Sequence, residues 1–259
     1  LAPPAGALLI ELLPIQTILI IDVATALVAA IPLFFVDVPQ PAQGTTGAPA
    51  SLWQDVKGSL DYVWAWRGLA IVTGISTTVN FLLVPAFSLL SLVVLERFGG
   101  GARQLGWMEG AFGIGILAGG ALLGVGGGLK RRIDTVIAGT GLLGLMMVLV
   151  GAVPANGILV AIGAMFLAGI GLSVGNGGGQ ALLQMLIAPD MQGRVFATLA
   201  ALRTLMTPLG LAVAGPFADR FGAQSWMLGA GIGITIMVTT MRFIPEVASI
   251  EAHARSPEA

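Results

Sequence analysis

The stretch from Gly106 to Asp134 constrains the fold more than any other part of the sequence. An apolar run fills the interval from Leu105 to Gly128, and the triplet Lys130-Arg131-Arg132 closes it. At 1.5 Å per residue, a helix of about 24 residues can cross a hydrocarbon core about 30 Å thick. Basic residues beside a spanning helix favour the cytoplasmic side. The stretch therefore predicts a membrane-spanning helix with its basic end in the cytoplasm.

The composition of the chain agrees with a membrane protein. Of 259 residues, 56% are hydrophobic and 10% are charged, with a mean hydropathy of +0.94. Soluble domains carry about 25% charged residues. The net charge of -1 gives no basic footprint for nucleic acid, and the absence of cysteine excludes disulfides and thiolate metal sites. We therefore predict an all-α integral membrane protein.

Six apolar runs in the second part of the chain have the length of spanning helices, and short polar segments separate them. We predict spans at residues 68–95, 105–128, 133–153, 157–187, 195–216 and 225–244. Near the start of the chain, the apolar run 1–13 is too short to span, whereas the run 15–36 is long enough. Because the chain opens without Met or a charged region, we expect a sequence truncated at its N-terminus.

A polar segment at residues 37–67 separates these two groups of helices. It begins with a run rich in Pro, Gly and Thr that cannot continue a helix. From Ser51 onwards, apolar residues recur at helical spacing, and aromatic rings cluster among them as they do at membrane interfaces. We predict a linker that carries an amphipathic surface helix.

Successive spans cross the membrane in opposite directions, so the segments between them lie on alternate sides. This places eight basic residues on one side and three on the other. The larger group is Lys57, Arg67, Lys130, Arg131, Arg132, Arg194, Arg242 and Arg255, and the smaller is Arg97, Arg103 and Arg220. Because positive residues concentrate on the cytoplasmic side, the linker and the C-terminal tail are predicted to be cytoplasmic.

Several motifs at these positions resemble the major facilitator superfamily, and most closely its multidrug or macrolide-efflux-like proton antiporter branch. They run from Gly99 to Glu109, through Lys130-Arg131-Arg132 and Met191-Gln192-Gly193-Arg194, to Pro208-Leu209-Gly210 and Gly215-Pro216. The resemblance implies a helical bundle with the C-terminal six-helix half and the last one to two helices of the N-terminal half. Residues 1–36 would be the remnant of the first bundle (helices five and six), 37–67 the linker, 68–245 the second bundle and 246–259 the tail.

The loop signature of that superfamily is only partly present. Gly120, Leu122 and Gly127 fit it, but Gly124 and Val125 replace its Asp and Arg, so its salt bridge cannot form there. We take Gly120 with Lys130, Arg131, Arg132 and Arg194 as candidates for a cytoplasmic gating loop.

Two carboxylates are candidates for proton coupling. Glu109 lies inside a predicted span, where an ionisable group is costly and therefore a functional candidate. In an apolar setting a carboxyl group can bind and release a proton near neutral pH. The alternative is an interfacial carboxylate that supports packing or pairs with Arg103. Asp22 is a similar case, with a structural role as its alternative.

Four polar residues within the predicted spans are candidates for lining a substrate cavity. They are Arg203, Asn80, Asn176 and Gln180. A cation at membrane depth must face a cavity or a partner, so Arg203 either holds an anionic group or belongs to a structural pair. Amides equally serve as hydrogen-bond links between helices.

Glycines recur at every fourth residue in two spans, at 120, 124 and 128 and again at 171, 175 and 179. This spacing removes side chains from one helix face, so we predict close helix packing there. Gly139 to Gly144 matches a dinucleotide fingerprint in its letters, but no strand precedes it, and no phosphate loop for ATP is visible. No enzyme activity, metal or cofactor is predicted.

These features lead to a secondary active transporter in the inner membrane of a bacterium. We expect proton-driven export of amphipathic small molecules, such as drugs and macrolides, by alternating access. The full-length protein is expected to act as a monomer in the lipid bilayer. The alternatives are a siderophore or metabolite exporter, a facilitator that needs no proton, and a membrane fragment that transports nothing.

Overall fold

The computed structural model describes residues 15–30, 52–248 and 250–253, and the regular structure within them is helical, which confirms the all-α class. Eleven helices follow one another in these ranges: α1 (Ile15–Ala30), α2 (Leu52–Ala65), α3 (Arg67–Ser88), α4 (Leu90–Phe98), α5 (Ala102–Gly126), α6 (Arg132–Ala152), α7 (Ile158–Leu186), α8 (Pro189–Phe221), α9 (Ala223–Met241), α10 (Pro245–Ala248) and α11 (Ile250–His253). The predicted short run 1–13, the end of the predicted span 15–36, and the Pro-rich linker up to residue 51 lie outside the described residues.

Five of these helices are long and apolar enough to cross a membrane, namely α3, α5, α6, α7 and the 191–221 part of α8. The sixth predicted span forms α9, whose 19 residues extend for about 28 Å. It falls outside the group of five, and Gln224 and Ser225 make its first turn polar. The chain is therefore a multi-pass membrane protein.

The helices run further into the predicted breaks than the sequence indicated. α8 begins at Pro189, a residue that suits the first helical turn because it needs no backbone N–H there. At its other end α8 continues to Phe221, where Gly222 with φ 84° ends it. The predicted span 68–95 is instead interrupted at Leu89, shortly after Pro85, whose missing N–H weakens the helix.

The long helices form one continuous series of contacts. α7 packs between α5 and α6, α6 packs on α9, α9 contacts α3, and α3 packs on α8. This order leaves α3 and α7 on opposite sides of a gap, with α6 and α9 behind it. We call the end of the bundle where α3, α6 and α8 begin the linker-side end.

Glycine lets the central helices approach each other closely. A methyl group added at Gly171 of α7 would lie 2.6 Å from the carbonyl oxygen of Gly139 on α6. A methyl group at Gly231 of α9 would lie 2.7 Å from the carbonyl oxygen of Gly144. A real methyl group could not fit at these distances, so the helices can pack this closely only with glycine at both positions. These contacts fix the separation of α6 from α7 and α9.

The packing prediction holds for Gly171 and Gly175 of α7, but it is wrong for Gly179, where an added methyl group would lie 4.0 Å from Val136, and for Gly120 and Gly124 of α5. Gly124 has no neighbour within 4 Å of an added methyl group, and Gly120 has only the Ser173 hydroxyl at 3.5 Å. The close contact of α5 with α7 is made instead by Gly115 and Gly119. These two residues also repeat every fourth position, and they lie on a different face of the helix from Gly120 and Gly124.

Short helices cover the linker-side end of the bundle. Val63 of α2, Val247 of α10 and Ile250 of α11 are buried in one apolar cluster together with residues of α3, α6, α7, α8 and α9. The Tyr62 hydroxyl of α2 accepts a hydrogen bond from the Ala188 N–H, between α7 and α8, at 3.3 Å. A helix therefore forms at Leu52–Ala65, within the predicted linker, and packs on the bundle.

Candidate functional site

A cavity of about 510 Å³ occupies the gap between α3 and α7. It extends from the linker-side end towards the middle of the bundle, and α6, α8 and α9 complete its wall. Its volume lies within the range of about 300–1,000 Å³ that small-molecule sites occupy. The polar residues of its lining are Thr73, Ser76, Asn80, Thr140, Asn176, Gln180 and Arg203.

All four residues predicted as cavity candidates line this one cavity. Asn80 comes from α3, Asn176 and Gln180 from α7, and Arg203 from α8. Residues far apart in the sequence are thereby brought to one site. Their roles in binding a substrate remain predictions.

On α7, glycines without side chains stand next to the two amides, so the amide side chains are not covered by their neighbours. Gly175, Gly177 and Gly179 also line the cavity and carry no side chain, whereas Asn176 and Gln180 are exposed. These amides are one helical turn apart, so they stand on the same face of α7. An amide carries both donors and an acceptor, so this face can bind groups of either kind.

Arg203 supplies the positive charge of the site. α8 begins at Pro189, so Arg203 lies about 21 Å along the helix and near its middle, deeper than the sequence indicated. Its guanidinium Nη2 donates to the Ser76 hydroxyl of α3 at 2.9 Å, and the side chain is half-buried. This bond links α8 to α3 across the edge of the cavity.

Three polar residues of α3 lie at positions 73, 76 and 80, a spacing that places them on one helix face. The Asn80 amide donates to the Ser76 backbone carbonyl at 2.9 Å. The Thr73 hydroxyl oxygen is buried and makes no hydrogen bond within the described residues. Ser76 and Thr73 were not among the predicted site residues, although their spacing with Asn80 in an apolar helix was a readable signal.

Glu109 does not line this cavity. It is half-buried on α5, about 10 Å from the start of that helix, and this start lies at the end of the bundle opposite the linker-side end. Within the described ranges it forms no ion pair with Arg103. Asp22 belongs to α1, and its side chain lies outside the described residues.

The candidate gating residues are exposed. Lys130, Arg131, Arg132 and Arg194 lie at the linker-side end, while Gly120 lies on α5 before the loop. Arg132 donates to the Gly127 carbonyl at 2.9 Å, and the Leu129 N–H donates to the Thr135 hydroxyl at 2.9 Å. Hydrogen bonds within residues 127–135 thus fix the conformation of this loop.

Two carboxylates make contacts next to this loop, and the sequence analysis predicted neither contact. Glu251 of α11 accepts the Ile133 N–H in the first turn of α6 at 2.9 Å. Asp134 pairs with Arg242 at 3.5 Å. Both contacts join residues more than 100 positions apart, so local sequence patterns could not reveal them.

Long apolar helices around a polar cavity, with Arg203 as the cation of its described lining, define a polytopic membrane protein of the helical-bundle class. The sequence matches the family description Major Facilitator Superfamily over residues 1–211. The chain belongs to this superfamily, as its motifs predicted.

Similar bacterial proteins carry transport names. The chain is 26% identical over 250 residues to macrolide efflux protein A of Streptococcus pyogenes, covering 96% of this chain and 62% of that protein. The protein of the same name from Enterococcus faecalis is 26% identical over 210 residues, covering 81% of this chain and 65% of its own length. An uncharacterized MFS-type transporter of Bacillus subtilis is 28% identical over 256 residues, covering 93% of this chain and 59% of that protein. The chain therefore spans about three fifths of the length of these curated relatives.

Proposed function

We propose that this chain is part of a secondary active transporter that exports amphipathic small molecules, with macrolides as the first class to test. The observation that carries the proposal is the cavity between α3 and α7, where Arg203 and three amides stand within an apolar bundle. Polar groups at membrane depth are costly and mark substrate or ion pathways. The names of the similar bacterial proteins support the macrolide class.

Alternating access is the proposed mode of transport. In superfamilies built from repeated bundles, the substrate binds between the two bundles, and rocking opens the site to either side in turn. In this scheme residues 68–245 are the second bundle, 1–36 belong to the first, and 37–67 connect them. The low burial of α5 and the 191–221 part of α8 agrees with this scheme, because 22% of the residues in the most apolar stretch of each are buried, against 39% in α6 and α7.

Proton coupling is assigned to Glu109, with Asp22 as the second candidate. Glu109 is half-buried on α5, which lies at one end of the series of packed helices. It has no hydrogen-bond or ion-pair partner within the described residues. A carboxyl group without a fixed partner is free to change its contacts as the bundles move. The separation of Glu109 from the cavity means that it would act on the opening of one side and not on the bound substrate.

The orientation follows from the distribution of charge. Lys130, Arg131, Arg132 and Arg194 are exposed at the linker-side end, so this end is proposed to face the cytoplasm. The cavity then lies in the cytoplasmic half of the bundle, on the side from which an exporter collects its substrate. The gating role of these four residues with Gly120 would be to change contacts with the first bundle during rocking.

The test measures the accumulation of radiolabelled erythromycin in bacteria that express the full-length gene or an empty vector. We expect lower accumulation with the gene, and loss of the difference when a protonophore collapses the proton gradient. Glu109→Gln should abolish the gradient-dependent export. Glu96→Gln is the matched control, since Glu96 is an exposed carboxylate on α4 near the same end of the bundle.

Each other outcome points to a different protein. Export that survives the protonophore would contradict proton coupling and indicate another driving force, whereas pH-independent equilibration that Glu109→Gln leaves intact would indicate a facilitator. Export of a catecholate siderophore without any export of erythromycin would shift the substrate class to siderophores or metabolites. No transport of either compound by a protein that reaches the membrane would support the non-transporting alternative.

A further inference from the structure

The edge of the cavity between α3 and α8 has hydrogen-bonding capacity that the chain itself does not use. Arg203 carries five N–H donors, and within the described residues its side chain makes one hydrogen bond, to Ser76. Since Ser76 accepts this bond, its own O–H remains available to donate. The unsatisfied Thr73 hydroxyl lies one turn earlier on the same face of α3.

Other hydroxyl groups of α3 behave differently. Thr77 and Thr78 each donate to the backbone carbonyl four residues earlier, at 2.9 Å, as hydroxyls in apolar helices usually do. Thr73 makes no such bond, and no bond from the Ser76 hydroxyl to its own helix is formed in the described part of the chain. The hydroxyls of Ser76 and Thr73 therefore differ from these two, because within the described residues neither bonds to its own helix, and both residues line the cavity.

The charge of the lining is unbalanced. Among the described residues that line the cavity, Arg203 is the charged one, and neither Asp nor Glu is present. A half-buried guanidinium at membrane depth is stable only with a partner or a wet cavity. Its planar donors fit a carboxylate or phosphate with two parallel hydrogen bonds, which is the strongest pairing available to it.

We propose that Arg203, with Ser76 as its positioning residue and Thr73 beside it, forms a recognition site for an oxyanion carried by the transported molecule. This rests on the proposed export function and adds a second cargo class to the macrolides, which carry no carboxylate: an amphipathic compound with a carboxylate or similar oxyanion. Asn176 and Gln180 on the facing wall contact its neutral polar groups, and the apolar lining, such as Val72 and Leu172, contacts its apolar body.

The test uses two fluorescent probes of nearly equal size and shape, dansylglycine and its neutral amide dansylglycinamide. Binding to the full-length protein in lipid nanodiscs is followed by the rise in dansyl fluorescence. We expect dansylglycine to bind at least about tenfold more tightly than the amide, as a charge-assisted pair requires. Arg203→Met should remove this preference, Arg203→Lys should keep part of it, and Ser76→Ala should weaken it without removing it.

Arg220→Met is the matched control, because Arg220 lies on the same helix and is exposed at the opposite end. It should keep the full preference. The partial preference in Arg203→Lys distinguishes loss of recognition from loss of folding, and thermal unfolding of each variant checks the latter directly.

The inference and the proposed function fail in different ways. Equal binding of the two probes to the wild-type protein would overturn the oxyanion site, and it is also the result expected if a carboxylate of the first bundle already pairs with Arg203. A preference that survives in Arg203→Met would overturn it as well. Neither result depends on transport, so loss of erythromycin export with an intact probe preference would contradict only the proposed export function.

Discussion

Replacing Gly171 by alanine should force α6 and α7 apart at the back of the cavity. The added methyl group would lie 2.6 Å from the Gly139 carbonyl oxygen and 2.7 Å from the Leu143 backbone nitrogen. Ordinary van der Waals contact begins at 3.4 Å, so the backbones must separate by about 0.8 Å. Both contacts are to backbone atoms, and a rotamer change cannot relieve them. Overpacking of this kind costs about 1–3 kcal/mol.

Gly163→Ala is the matched control for this change. Gly163 lies on the same helix, is exposed, and has no neighbour within 4 Å of an added methyl group. Both variants gain the same helix propensity, about 1 kcal/mol, so the difference between them isolates the clash. At about 2–4 °C per kcal/mol, this difference is roughly 2–12 °C in Tm. Tryptophan fluorescence of the purified full-length protein during heating would measure it, and equal Tm values would refute the packing argument.

Three further changes test other contacts. Glu251→Ala removes the carboxylate that accepts the Ile133 N–H, and the loss of a helix cap should lower the stability by about 0.5–2 kcal/mol; an unchanged Tm would contradict this role. Gly210→Ala puts a methyl group 2.7 Å from the Phe81 carbonyl oxygen, so the contact between α3 and α8 should be overpacked. The free energy of unfolding should fall by about 1–3 kcal/mol, seen as a lower Tm. Trp64 on α2 is 72% exposed and should lie at the lipid interface, so brominated lipids should quench less fluorescence in Trp64→Phe than in wild type, and equal quenching would argue against that position.

The helices were predictable because the membrane imposes a length and a composition on them. In the described part of the chain the long apolar runs are helical, since backbone groups in lipid must be satisfied within their own segment. The ends were less predictable. Pro189 begins a helix where a break was expected, and Leu89 interrupts one where none was expected, because these details depend on local hydrogen bonds.

The candidate cavity was predictable in its residue types and not in its boundaries. Asn80, Asn176, Gln180 and Arg203 were visible as polar residues in apolar helices, and the structure brings them to one cavity. Ser76 was not singled out, since a serine in a membrane helix usually bonds to its own backbone. Its partnership with Arg203 is a contact between residues 127 positions apart, and only the folded arrangement of α3 and α8 creates it.

The same limit explains the glycine register. Spacing by four identifies a smooth face on a helix, and α5 has two such faces, one with Gly115 and Gly119 and another with Gly120 and Gly124. Which of them meets α7 depends on how the helix is rotated about its axis. That rotation is decided by the packing of the whole bundle and is not encoded in the spacing.

The most direct test of the proposed transport site is cargo protection at Asn176. The 259 residues contain no cysteine, so Asn176→Cys introduces a single thiol into this chain, and any cysteine in the rest of the full-length protein would be replaced by serine. The rate of labelling by N-ethylmaleimide is measured with and without erythromycin, and again with dansylglycine. Asn156→Cys, in the exposed segment between α6 and α7, is the control. We predict that an exported compound slows labelling at position 176 and leaves position 156 unchanged. Unchanged labelling at position 176 by a compound that the protein exports would contradict the assignment of this cavity as the substrate site.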